Sequence, residues 1–500
     1  MPLAEAITRR AGERPHDPAF RIEDRVFSFR ELATGASRIL GAIEQWVPAK
    51  AGGSILSGRA RLIALQTGNH PLFAAAFIAA TAGGNCAALI DPHLPEPTRR
   101  RMIEQLRPDI MVHPDGHAVR LDRPATGQNT LIGIAADGMR TIPVGEGGEP
   151  FLIVFTSGTT GEPKAIVRDR RSWRLSLETG QSFFGIGAET TTYAPGPLAH
   201  GLTLYALAES LKAGAEFIGA RHFDPLQAVA TIAARKVKRL VLVPTMLRRL
   251  CEQVRGSTAL PLVEAITVAG AKLTPADRKA ARLAFPEARI IEYYGASELG
   301  FITVAGTSDN HAPTAVGRAF PGVRLEILDE AGNRLPAGET GTIFVESTLI
   351  SDGYVAGGDG AGFRRHGDLA TVGDVGFLDP NGTLHLIGRA GGMVLSGGNN
   401  IYPSEIEAVI MAADNVSAVQ VLGLDHPDLG SELAAIIQPH DEAFDHLALE
   451  RHLAAALPRY KHPRKIWLCR ELPMTASGKI AIKELRLWIA EGNGALERLV

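Results

Sequence analysis

Residues 151–155 read Phe-Leu-Ile-Val-Phe and run straight into Thr156-Ser157-Gly158-Thr159-Thr160-Gly161-Glu162-Pro163-Lys164. An unbroken apolar run of this length, bounded by a glycine-rich turn, reads as a strand covered on both faces. Strand-type and helix-type patterns alternate through most of the chain, so an α/β fold is predicted. The loop after the strand offers two glycines for close backbone approach, four hydroxyls and the cation of Lys164. Those groups suit phosphate oxygens. The spacing is not that of G-x-x-x-x-G-K-[ST]. Ser477-Gly478-Lys479 fails that pattern too, because Pro473 stands where its first glycine belongs. No G-x-G-x-x-G fits either, since Gly185-Ile186-Gly187 is followed by Thr190 at the last place.

With 500 residues the chain exceeds the roughly 250–300 at which one core stops growing, so more than one domain is predicted. The texture changes at Gly388-Arg389-Ala390-Gly391-Gly392-Met393-Val394-Leu395-Ser396-Gly397-Gly398, five glycines in eleven residues. Glycine absorbs large backbone changes, so a hinge is expected at 388–398. Residues 1–388 then form a large N-terminal domain of sheets flanked by helices. Residues 389–500 form a small, mobile α+β C-terminal domain. Within the first, Ser28 and Glu31 make a capping box ahead of Leu32, Ala36, Ile39, Leu40 and Ile43 on one helical face. Leu240–Val243, stopped by Pro244, reads as another buried strand. Pro403-Ser404-Glu405-Ile406-Glu407 starts a helix with acids in its first turn.

Other classes recede on composition. Lysine and arginine number 52 against 54 aspartates and glutamates, net −2. That balance gives no reason to expect nucleic acid or an anionic membrane as partner. Cys86, Cys251 and Cys469 lie far apart and make no C-x-x-C, so no disulfide framework or zinc site is suggested and a reducing, cytoplasmic setting is expected. The N-terminus lacks the basic and apolar regions of a signal peptide. The most apolar window, 72–82, is too short for a span of about 20 residues and reads as a buried helix.

At the 156–164 loop the chain resembles the adenylate-forming superfamily: acyl-CoA synthetases, peptide-synthetase adenylation domains and luciferases. The T-S-G-T-T-G-x-P-K signature is present in full. The resemblance continues in order over most of the chain. Pro197-Leu198-Ala199-His200-Gly201 is similar to the family's acyl-pocket motif, and Tyr294-Gly295-Ala296-Ser297-Glu298 to its Y-G-x-[ST]-E. Gly367-Asp368-Leu369 matches G-D-L. Gly388-Arg389 opens the hinge motif and Asn400–Glu407 closes it. Thr475-Ala476-Ser477-Gly478-Lys479 resembles the catalytic-lysine motif.

The resemblance implies ATP, Mg²⁺ and coenzyme A. A carboxylate and a triphosphate are both anions, so their reaction needs cations and donors placed in advance. Thr156, Ser157, Gly158, Thr159, Thr160, Gly161 and Lys164 would hold the phosphates, helped by Ser297. Glu298 and Thr160 would hold the metal, which favours few carboxylates, phosphate oxygens and water. Lys479 would bridge carboxylate and α-phosphate as a point charge. Asp368 would accept the ribose hydroxyls, with Arg389 donating to the same sugar. Tyr294, Gly295 and Ala296 would flank the adenine, with Gly270 and Ala271 at its edge. His200 joins Lys479 and Glu298 in the catalytic set as a pocket-lining residue. Gly397 and Gly398 would admit pantetheine. The two half-reactions share one site by rotation of the small domain. The chain departs from the pattern at the hinge, where Gly392 replaces the usual Asp or Lys and Leu395 a common Lys.

Amino-acid-activating relatives carry an Asp near 195–201 to pair with the substrate amine. Here that segment is Pro-Gly-Pro-Leu-Ala-His-Gly. With Val243–Met246, Val268–Ala271 and Tyr294–Ala296 mostly apolar or small, an aliphatic or aromatic acid is expected. The acceptor is coenzyme A or a carrier protein ending in the same pantetheine, and a homodimer is compatible. A serine hydrolase is excluded because Gly295-Ala296-Ser297-Glu298-Leu299 breaks G-x-S-x-G at its last position.

Overall fold

The computed structural model describes residues 3–47, 60–133, 140–157, 163–254, 260, 262–306, 312, 314–357, 362–389, 392–396, 399–413, 415–441, 444–475 and 479–499. Two strands matter first, β1 (Pro150–Ser157) and β2 (Pro163–Asp169). They pair antiparallel within an eight-stranded sheet, and β1 also pairs in parallel with Asn85–Leu89. Phe151, Leu152, Ile153 and Val154 are all buried, as a strand without apolar–polar alternation must be. Helices cover this sheet. Phe29–Trp46 begins at the predicted box, with the Ser28 hydroxyl accepting from the Glu31 amide at 3.3 Å and the Glu31 carboxylate accepting from the Ser28 amide at 2.8 Å. Phe73–Ala80 is buried at every residue.

The second sheet has fifteen strands. Its parallel part receives the helix α1 (Gly201–Ala213) on one face. Beneath α1 run β3 (Arg239–Leu242), β4 (Ala265–Val268) and β5 (Arg289–Ala296), side by side and parallel. Pro244 ends the β3 segment and opens the helix Pro244–Val254. Past β5 the sheet turns antiparallel and includes the hairpin of β6 (Asp374–Leu378) and β7 (Leu384–Arg389). The C-terminal ends of parallel strands in such sheets are where ligands bind. Here those ends deliver Val243, Ala269-Gly270-Ala271 and Gly295-Ala296-Ser297 to one edge.

The last hundred or so residues form the predicted α+β module. Its four-stranded sheet comprises Val416–His426, Gly430–Pro439, Lys465–Cys469 and Leu496–Arg498, with helices Pro403–Met411, His446–Ala456 and Ile482–Glu491. It has its own core around Ile406, Ile410, Val421, Ile437 and Leu453. Arg248 of the large part pairs with Asp277 at 2.8 Å and donates to the Ser417 carbonyl of the small one. No disulfide joins the three buried cysteines. No helix among the described residues is long and apolar enough to cross a membrane.

Candidate active site

The β1–β2 hairpin sets Thr156 opposite Lys164, and Ser157 opposite Pro163, at the mouth of the hydroxyl-rich loop. Gly158, Thr159, Thr160 and Gly161 lie outside the described residues. Lys164 is buried, its ammonium 5.5 Å from the ring centroid of Tyr354. Tyr354 sits on Gly353–Ala356, which pairs with β2. Its hydroxyl donates to Glu298 at 2.7 Å. Glu298 is 8% exposed, and its carbonyl accepts from the Ser351 amide at 2.7 Å. Arg168 holds the same turn, donating to the Ser297 carbonyl at 3.1 Å and the Leu349 carbonyl at 2.6 Å. Burial pushes Arg168 down to about 10. Glu298 thus stands as one fixed, enclosed carboxylate near the phosphate-type hairpin. One carboxylate completed by phosphate oxygens and water is a donor set that Mg²⁺ accepts, and no cage of three protein ligands is needed.

The second cluster pairs Arg389 with Asp374 and not with Asp368, the residue the resemblance set beside it. Asp368 occupies an exposed two-residue turn, Gly367-Asp368, between His366 and Leu369, and Gly367 takes the positive φ that turn requires. Asp368 lies toward Arg324, whose pKa its charge helps raise, and does not meet Arg389. Asp374 does. It is buried, directly opposite Arg389 across β6 and β7, and accepts from the Arg389 Nε at 2.6 Å and from the Tyr294 hydroxyl. Burial alone would lower Arg389, but the hydrogen bond and charge of Asp374 outweigh it and hold the guanidinium above its ordinary value. Tyr294 is pushed well up by burial and then by the same carboxylate. Both Tyr294 and Arg389 also feel the charge of Glu298, which ties the two clusters together. Three Gly-Asp pairs stand in the sequence, Gly358-Asp359, Gly367-Asp368 and Gly373-Asp374. The Asn381-Gly382 turn, a hairpin signal, points to the last.

Lys479 stands on the small module, within range of the charge of Arg389. Its amide donates to the Thr475 hydroxyl at 3.2 Å, which fixes the local hairpin. Burial lowers its ammonium pKa below the usual lysine range, and the positive charge of Arg389 lowers it further. Gly270 has a φ of 93° and with Ala271 forms an exposed turn at the end of β4. Gly295 is exposed in β5, where a Cβ would meet the Gly300 carbonyl oxygen at 2.5 Å, so only glycine fits. His200 is the N-cap residue of α1, and its Nε2 lies 3.1 Å from Asp91. Burial would raise Asp91, yet the hydrogen bonds from His200 and the His93 amide prevail and hold it below the ordinary range. Asp91 lacks a sequence signal, being 109 residues from its partner. Gly397 and Gly398 lie outside the described residues.

Comparison with known proteins shows the family. A family model described as "AMP-binding enzyme" matches residues 7–355, and one for its C-terminal domain matches 405–479. YhfT of Bacillus subtilis, by name an acyl–CoA ligase, is 34% identical over 358 residues, 71% of this chain and 72% of its own. VraA of Staphylococcus haemolyticus, named as a long chain fatty acid–CoA ligase, is 35% identical over 68% of this chain and 70% of its own. The fold matches ATP-bound MatB from Rhodopseudomonas palustris with a TM-score of 0.80 at 22% identity, over 97% of this chain and 98% of that one. The chain belongs to the AMP-binding enzyme family, as an adenylate-forming acyl-CoA synthetase-like ligase of the kind that uses ATP, Mg²⁺ and coenzyme A.

Proposed function

We propose that this enzyme activates an aliphatic or aromatic carboxylic acid as its acyl-adenylate and passes the acyl group to coenzyme A, releasing pyrophosphate and AMP. The observation that carries the reading is the Tyr294–Asp374–Arg389 cluster itself, a buried carboxylate held by a phenol and a guanidinium at the strand ends. The charge of Lys479, on the other module, lies within range of Arg389.

The roles follow from charge. Asp374 is an acceptor-only carboxylate and takes the ribose hydroxyls, with Arg389 fixing its orientation. Tyr294 covers the adenine, and Gly270-Ala271 borders it. Lys164 and the hydroxyls of the loop hold the triphosphate. Glu298, oriented by Tyr354, would hold Mg²⁺, which supplies charge neutralisation at the phosphate oxygens when bound. Lys479 brings the acid carboxylate to the α-phosphate. An oxygen of that carboxylate attacks the α-phosphorus, and the bond to pyrophosphate breaks. The thiol then attacks the acyl carbon and AMP leaves. Residues 1–388 and 389–500 act as the two bodies, with the pivot at 388–398, where Gly392 in place of a charged residue removes one means of locking either state.

The test is incubation with ATP, Mg²⁺ and a panel of fatty, aryl and short acids, following pyrophosphate with and without coenzyme A. Acid-dependent pyrophosphate that rises with coenzyme A is expected, with AMP and an acyl thioester as products. An adenylate that coenzyme A does not discharge would move the acceptor to a carrier protein.

A further inference from the structure

The inner face of α1 packs on the sheet beneath it in a layer whose two ends differ. Leu202, Tyr205, Ala206 and Glu209 follow the spacing of one helical face. Arg239, Val241 and Val243 alternate onto one face of the sheet. Near His200, Leu202 and Tyr205 keep partial solvent contact, as does Val243 across from them. Farther in, Ala206, Glu209, Val241 and Arg239 are all buried. Solvent contact is therefore kept at the His200 end of this layer and lost at Glu209 and Arg239.

That closed end is polar. Glu209 accepts from the Arg239 Nη2 at 2.8 Å, and both side chains are nearly inaccessible. Glu209 Oε1, Arg239 Nε and Nη1, and the Thr267 hydroxyl are buried and meet no hydrogen-bond partner among the described residues. All three residues line one cavity of about 10 Å³, room for a single oxygen-sized group. Buried polar atoms left unpaired are costly and rare, and here four converge on one space.

We infer that this floor is a specificity site for the acid substrate, which carries a hydroxyl at its far end that accepts from Arg239 and Thr267 and donates to Glu209. The inference rests on the acid–CoA ligase reading. His200 and Glu209 are nine residues apart on α1, roughly 13 Å at 1.5 Å per residue. Arg239 and Val243 are about as far apart along an extended strand. The hydroxyl thus lies roughly 13 Å from the reacting carboxyl. An apolar tail end would leave all four atoms unpaired. A second carboxylate would sit against Glu209 in a site that already balances one anion with one cation. Burial holds Glu209 above the ordinary carboxyl range against the pull of Arg239, so added negative charge is poorly tolerated there.

The experiment measures kcat/KM by pyrophosphate release for saturated acids of increasing length, each with and without a terminal hydroxyl. At one length the hydroxy acid should exceed its plain partner by at least ~tenfold. In the E209L/R239L double variant, which replaces the whole pair rather than half of it, that ratio should fall at least ~tenfold. Thr267→Val removes one hydroxyl at constant shape and should lower the same ratio, which keeps the test available if the double variant does not fold. Turnover of plain acids with no hydroxyl preference at any length overturns the inference alone. So does a preference unchanged in the variants, or a dicarboxylic acid preferred over the hydroxy acid. Pyrophosphate release with no acid at all overturns the ligase reading and the inference with it.

Discussion

Asp374 and Arg389 face each other across adjacent antiparallel strands, carboxylate oxygen to guanidinium nitrogen at 2.6 Å, with the Tyr294 hydroxyl on the other oxygen. A register shift between Val375 and Gly376 creates the pairing. Nearer the turn, Gly376 faces Leu386 and Phe377 faces His385. Continued without the bulge, that register would set Asp374 against Gly388.

The nucleotide role of this pair is open to a direct comparison. Asp374→Ala should raise the apparent KM for ATP roughly tenfold to 100-fold, the scale of a lost charged hydrogen bond. Asp368→Ala, in its exposed turn, should leave that KM within about twofold. Equal effects from the two substitutions would return the ribose site to the question.

Lys479→Ala should slow adenylation by at least ~10²-fold while sparing thioester formation from supplied acyl-AMP. The pH profile tests the same residue. Burial and Arg389 lower the Lys479 pKa, so its charge is lost at lower pH than for an ordinary lysine. The alkaline limb of adenylation therefore falls below the usual lysine range. Arg389→Gln removes one cause and should move that limb upward, whatever it does to ATP affinity. A limb that stays in place separates Lys479 from Arg389.

Tyr354→Phe removes the donor to Glu298 and leaves the ring beside Lys164. The Mg²⁺ concentration for half-maximal adenylation should rise about tenfold, the lower end of what outer partners of a metal ligand contribute. An unchanged Mg²⁺ requirement would exclude Glu298 as the metal carboxylate, or Tyr354 as its orienting group.

A stability prediction concerns Glu407 in the small module. Its carboxyl accepts from the Val421 amide at 2.8 Å and the Gln420 side chain at 2.6 Å, and burial pushes its pKa up to about 7. The folded state then holds a proton that the unfolded chain has released above about 4.3. Stability contributed at this residue is greatest below that value and falls as pH rises toward about 7. Glu407→Gln should raise stability at pH ~8 by roughly 1–3 kcal/mol and change little at pH ~5, as read by urea unfolding. An equal gain at both pH values would rule out the buried charge as its source.

Local signals carried much of the fold. The unbroken run at 151–155, the Ser28–Glu31 box and the stop at Pro244 each depend on neighbours in sequence, and each stands where those neighbours put it. The alternation of strand and helix patterns gave the α/β class by the same logic. The site was legible where a motif is contiguous, as at Tyr294–Glu298. It was not legible where a partner arrives from elsewhere. Asp91 reaches His200, and Tyr354 reaches Glu298, only after strands distant in the chain have paired. Asp374 was missed for a subtler reason, since Gly367-Asp368 and Gly373-Asp374 stand close together and a bulge, which no local pattern announces, sets Asp374 opposite Arg389. The Glu209–Arg239 pair has no signature at all, because a charged residue on an apolar helix or strand reads as surface until the layers close over it.

Arg389 is the last residue of its strand, and everything after it belongs to the segment that leads to Lys479. The side chain clamped to Asp374 therefore fixes the strand end from which the main chain departs. A tilt of that end would be carried into the small module and would displace Lys479 with it. Read this way, the salt bridge is a bearing as much as a ligand. Loosening it would cost the enzyme aim before it cost affinity.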